Sequence, residues 1–277
     1  MSAATLALSF DNLGEAAEIE LGAIAPDAPE VGAHRTATET VPRLLERLEA
    51  HSLAATFFVE GLNAELYPEL LRRIDAEGHE VGFHAWRHEE WSRLRATEQA
   101  ENLARGIGAF ERLGIELAGM RPPGGGLGEG GTGTLREAGL SYCSPAGSGA
   151  GVEDGVVLLP FRWRHVDASC LLPPLFAIRE EISGSPEQIE PGAFVHHLER
   201  EVASLTERGG FAVLVLHPVT FDWLGQERLE EILDLVAEAS RGNAIEVATM
   251  REIAARVLAD PDRFGGAELD TTSWAKG

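Results

Sequence analysis

Four apolar runs in this sequence stop abruptly at side chains able to do chemistry. LALSFDN ends in Asp11 and Asn12, residue types that disfavour strands and are costly if buried unpaired. EVGFHAWRHEEW reaches His84 and then His88, four positions later. If the chain turns helical there, both imidazoles share one face and can bind one metal ion; the spacing equally suits a surface or capping pair. Asn12 can add a third, oxygen ligand, and two nitrogens with one oxygen leave positions for water and substrate.

GMRPPGGG ends its run at Arg121. This is either a surface cation before a stiff proline turn or a guanidinium that keeps Asp11 ionised and oriented. Gly124, behind two prolines, offers a backbone N–H with nothing in front of it, which suits an oxyanion. FAVLVLHP ends at His217, either a satisfied core histidine or, within a metal site, a general acid whose pKa starts at about 6.5. LPFRWRHVDA supplies Trp163, Arg164, His165 and Asp167. An acid near His217 would fix its tautomer, and Trp163 would wall a sugar or another ring.

These residues need a scaffold. TLALSF, AATFFV, HEVGFH, LAGMR, LSYC, VVLLPFRW, FAVLVLH and AIEVAT have the pattern of strands. Segments such as ETVPRLLERLEAH and QERLEEILDLVAEASRG, with apolar residues every three or four, lie between most of them as helices. Repeated alternation requires a parallel sheet in an α/β fold, and seven or eight such units suggest a closed or nearly closed, TIM-barrel-like barrel. Active groups in such folds sit at the C-terminal ends of the strands, where Asp11 and Asn12 fall. The expected domain covers residues 1–259, with 260–277 a polar surface tail.

Composition narrows the chemistry. With 45 Asp and Glu against 23 Lys and Arg, the net charge of −22 repels phosphate backbones and anionic membranes, so no nucleic-acid or membrane partner is expected. The single lysine, Lys276, leaves no candidate for Schiff-base or Walker-type chemistry. Cys143 and Cys170 form neither a disulfide framework nor a CxxC motif. GGGLGEGG at 124–131 does not fit a nucleotide-binding loop. No stretch approaches the roughly 20 apolar residues of a membrane helix, and the first cation is Arg35. The expectation is a soluble, cytoplasmic protein, with homo-oligomerisation left open.

Taken in order, SFDN, HAWRH, RPPGG and VLH resemble the motifs of the polysaccharide deacetylases (NodB-homology, carbohydrate esterase family 4). AATFFVEG and GHEVGFH are similar to that family's intervening sequence, and the likeness runs from about residue 5 to 255. The resemblance implies a distorted (β/α) barrel of seven or eight units and one divalent metal, zinc first, with cobalt, nickel or manganese as alternatives. It also implies hydrolysis of N-acetyl groups on chitin or peptidoglycan sugars, or of O-acetyl groups on xylan. By position, Asp11 resembles the general base, Arg121 the residue that positions it, and His217 the general acid tuned by Asp167. His84, His88 and Asn12 resemble the metal ligands, Gly124 the oxyanion-hole position, and Leu216 the acyl-pocket leucine.

Two departures stand out. Asn12 replaces an anionic ligand by a neutral one, and Gly124 replaces an aromatic residue. SFDNLGE and LHPVTFDW look more like a cytoplasmic branch that acts on small amides and ureides. The expected activity is therefore metal-assisted removal of an acyl group, N-acetyl above all, from an amino sugar or a small acylated amine. The alternatives are hydrolysis of another non-peptide C–N bond (cyclic imide, formamide or ureide) and a catalytically idle, glycan-binding barrel.

Overall fold

Alternation along each strand decides which side chains reach the inside of the barrel and which meet the helices. The computed structural model describes residues 4–243, 245–264 and 266–270. The strands are β1 (Ala4–Asp11), β2 (Thr56–Val59), β3 (Glu80–Phe83), β4 (Gly119–Met120), β5 (Tyr142–Cys143), β6 (Gly147–Glu153), β7 (Val156–Leu158), β8 (Phe211–Leu216), β9 (Ile245–Val247) and β10 (Gly266–Leu269). They form one sheet in the order β10-β6-β7-β5-β4-β3-β2-β1-β8, with β9 also paired to β1. Among the described residues every strand pairing is parallel except those of β6, which runs antiparallel to both β7 and β10. A parallel bridge between Val166 and Val215 ties the chain after β7 back to β8 and curls the sheet toward closure. The result is the expected distorted (β/α) barrel.

β1 shows the division of faces. Leu6, Leu8 and Phe10 join a core with Leu44, Leu45, Leu48 and Leu103 from the surrounding helices. Ala7 instead joins Phe58, Tyr142, Val213 and Val215 in a second core. Each fully buried Leu, Val or Phe among them contributes about 1.5–3 kcal/mol. The same parity carries Ser9 and Asp11 to the side of Ala7. Room for the interior rings comes from glycine: a Cβ at Gly82 would lie 2.7 Å from Phe58, and one at Gly119 would lie 2.4 Å from Tyr142.

The helix Met250–Ala259 packs Met250, Ile253, Ala254 and Val257 into the interior core. Its first turn docks on Glu80: the Arg251 N–H donates to Glu80 Oε2 at 2.8 Å, while Tyr142 and Thr56 hydroxyls donate at 2.9 Å. Burial pushes the Glu80 carboxyl up, and these donors oppose the shift.

Two strands depart from the sequence expectation. β6 and β10 pair Gly147–Ala150 with Gly266–Leu269, so the polar segment expected as a tail is part of the sheet as far as 269. The pairing depends on bare backbone: a Cβ at Gly149 would stand 2.0 Å from the Gly266 carbonyl oxygen. Such contacts leave no apolar alternation to read. Residues 271–277, the rest of that expected tail, lie outside the described residues. Both cysteines are free and buried. No helix among the described residues is long and apolar enough to cross a membrane.

Candidate active site

Asp11 is the last residue of β1 and is buried. Arg121, one residue past β4, donates from Nη1 to Asp11 Oδ1 at 2.7 Å and to Ser9 Oγ at 2.9 Å. Its Nη2 donates to Ser144 Oγ at 3.1 Å, and the guanidinium carbon stands 4.2 Å above the Phe58 ring. The cation is thus held by one carboxylate, two hydroxyls and an aromatic face. Asp11 Oδ2 remains, 4.0 Å from His84 Nε2.

His84 follows β3 and donates Nδ1–H to the Arg121 carbonyl at 2.8 Å, which leaves the Nε2 lone pair facing the site. The His88 ring lies 4.9 Å away, centroid to centroid, at 71°. Burial pushes both imidazoles down to about 3, so both are neutral near pH 7. The helical turn expected between them is absent. The chain bends instead, with left-handed backbone at Ala85 (φ 62°) and at His88 itself (φ 72°). Asn12, at φ 61°, is the third non-glycine left-handed residue here, and its buried Oδ1 has no hydrogen-bond partner. Backbone of this kind costs energy locally and persists where the surroundings hold it.

Asp167 is fully buried and accepts from His217 Nδ1 at 2.6 Å and from the His217 backbone N–H at 2.7 Å. Thr220 Oγ1 and the Ala168 N–H also donate to it. Burial lowers the His217 pKa, but the Asp167 charge and hydrogen bond outweigh it and raise it overall.

Asp11, Asn12, His84, His88, Arg121 and His217 line a single cleft of about 200 Å3, together with Gly124 and Trp163. Gly124 has φ 76° and follows two prolines, so its amide is the first N–H after Arg121 on this loop. The glycine-rich segment beyond it is pinned by Gln99, whose side chain donates to the Leu127 carbonyl and accepts from the Gly130 N–H.

Leu216 does not line the cleft. It lies in the helix-side core with Phe10, and Val215 occupies the cleft wall beside His217. The reason is strand parity: residues 213, 215 and 217 share one face of β8, and 214 and 216 share the other. Arg164 and His165 turn away to pair with Glu201. Ser9, Ser144 and Thr220 were not singled out by sequence. Ser9 carries a signal in retrospect, two residues before Asp11 on the same face, whereas Thr220 lies on a short turn without periodicity.

The polysaccharide deacetylase family model matches residues 3–143. Over 86 residues, 31% of this chain, the sequence is 34% identical to a peptidoglycan-N-acetylglucosamine deacetylase of Bacillus cereus, and the match spans 31% of that relative's length. A solved structure from Mycobacterium smegmatis described as a polysaccharide deacetylase is similar at TM-score 0.77 and 26% identity, over 98% of this chain and 96% of the other. An allantoinase at 15% identity shares the fold, with TM-score 0.71 over 92% of this chain and 90% of its own. Since the matched stretch runs from β1 through β5 and contains Asp11, His84, His88 and Arg121, this chain belongs to the polysaccharide deacetylase family.

Proposed function

We propose that this chain hydrolyses an amide, removing an acyl group from an amino sugar or a small acylated amine, with one divalent metal ion held by His84, His88 and Asn12. The donor chemistry supports the ligand set: two neutral imidazoles, one with Nε2 presented, and a buried carboxamide oxygen without a partner. Among the described residues no three His, Cys, Asp or Glu side chains group to hold a metal, and the proposed set takes its third donor from the Asn12 carboxamide instead. Imidazole donors suit zinc first, then cobalt, nickel or manganese. Such an ion, when bound, supplies Lewis-acid polarisation of water and of a carbonyl oxygen.

The chain's own groups handle the protons. Arg121 fixes Asp11 through Oδ1, so Oδ2 accepts a proton from the water whose oxygen bonds to the carbonyl carbon. The Gly124 N–H lies on the cleft wall, where it can donate to the developing oxyanion. Asp167 holds the proton on His217 Nδ1, which directs Nε2–H toward the leaving nitrogen. Transfer of that proton as the C–N bond breaks releases an amine and a carboxylic acid.

The observation that carries this reading is the pairing of two oriented groups, Asp11 with Arg121 and His217 with Asp167, with Asp11 and His217 lining one cleft. The test is acid release by the zinc-loaded protein from N-acetylglucosamine oligomers and from small acetylated amines. Release that stops on chelation and returns with metal is expected. A protein that binds zinc stoichiometrically and hydrolyses none of these substrates would overturn the reading.

A further inference from the structure

The rest of the cleft lining differs in chemistry from the reacting groups. Arg121 is engaged by Asp11, Ser9 and Ser144, His217 by Asp167, and His84 by the Arg121 carbonyl. The Thr220 hydroxyl is also used, donating to Asp167 and to the His217 carbonyl. The wall includes Trp163, Val166, Leu172, Leu175, Val215 and Val219. Apart from the indole N–H, none of these side chains can hydrogen-bond a sugar hydroxyl.

The rim continues this character. Leu172 and Val219 are 43% and 46% exposed, and Phe176, directly after the lining residue Leu175, is 54% exposed. They account for three of the six exposed large hydrophobic residues among those described, which places half of them around one opening. In a chain of net charge −22, three exposed apolar side chains beside one cleft stand out.

A hydroxyl-rich substrate would lose water here without gaining partners, and polar groups left unpaired on burial penalise binding. An apolar group gains on the same wall. The wall also surrounds the proton donor: Val215 precedes His217 on the same strand face, Val219 follows it, and Val166 is bridged to Val215. His217 meets the leaving nitrogen, so whatever the amine carries lies against these residues.

We infer that the substrate is a small acylated amine whose amine portion bears an aryl or branched hydrocarbon group, rather than a glycan. This inference rests on the hydrolase reading above. In the reaction, water's oxygen joins the acyl carbon, the C–N bond breaks, and the departing nitrogen takes its proton from His217.

The test compares three probes: an N-acetylated arylalkylamine, chitotriose and N-hexanoylglucosamine. The expected result is a kcat/KM at least tenfold higher for the arylalkylamine amide than for either sugar. Leu172→Asp, at a half-exposed position, should raise KM for that amide fivefold or more. Preference for chitotriose would overturn the inference, and preference for N-hexanoylglucosamine would move the apolar group to the acyl side and overturn it equally. A calorimetric arm uses Asp11→Asn protein, which need not turn over. At least tenfold tighter binding of the arylalkylamine amide than of chitotriose supports the inference even if all hydrolysis fails, and equal or reversed binding overturns it.

Discussion

Asp167 meets His217 twice, its Oδ1 accepting from Nδ1 at 2.6 Å and its Oδ2 from the backbone N–H at 2.7 Å. The first contact sets the tautomer and the second locks the imidazole to the carboxylate that charges it. The pKa of His217 is raised as a result, so the protonated form needed for donation persists above the ordinary histidine range. Activity should fall as pH rises through this raised value. Asp167→Asn removes the charge that favours imidazolium, so the alkaline limb of kcat should move to lower pH, with a loss of about a hundredfold in rate. A pH–rate profile whose alkaline limb is unmoved in the variant would show that Asp167 does not tune the acid.

Asp11 and Arg121 should separate function from stability. Asp11→Asn keeps an acceptor for Arg121 but cannot take a proton, so turnover should drop by at least about a hundredfold with the fold retained. Arg121→Ala instead strands a buried carboxylate, at a cost of about 3–5 kcal/mol. Thermal unfolding and acid release, measured on both variants, check the distinction; equal destabilisation by the two would contradict it.

Asn12→Asp places an anion in the left-handed backbone position that Asn12 occupies, a conformation aspartate also tolerates. If the carboxamide is a metal ligand, zinc affinity at pH 7 should rise at least about tenfold. Calorimetric titration of metal-stripped protein reads this directly. Unchanged affinity would remove Asn12 from the ligand set.

Glu60, just past β2, is fully buried, and burial pushes its carboxyl up to about 8. Asn63 Nδ2 donates to its Oε2 at 2.7 Å, while Glu60 Oε1 and Asn63 Oδ1 have no hydrogen-bond partner. A protonated Oε1 would offer the missing donor. The native state then keeps a proton that the unfolded chain gives up near the ordinary value of 4.5. The stabilisation is present in full below that value and is lost as pH rises to about 8, at up to about 1.4 kcal/mol per pH unit. Glu60→Gln should flatten this slope. Urea unfolding at pH 5.5 and pH 8 for both proteins checks it, and parallel slopes would refute it.

Much of the site was legible because apolar runs ended in polar side chains at strand tips: Asp11, His84, Arg121 and His217 all meet in one cleft. What escaped is of three kinds. Leu216 and Val215 differ only in parity, which is fixed by where β8 begins to pair with β1. His84 and His88 meet through a left-handed bend, and helical spacing does not describe such a bend. The pairing of β6 with β10 depends on glycine backbones that carry no hydrophobic signal. Ser9 and Ser144, small residues common on any strand, acquire meaning only when Arg121 reaches both.

The helix Met250–Ala259, docked on Glu80, stoppers the barrel at the end away from the catalytic groups. The cleft is therefore backed by solid core at that end, and whatever reaches Asp11 comes from the side of the strand C-termini.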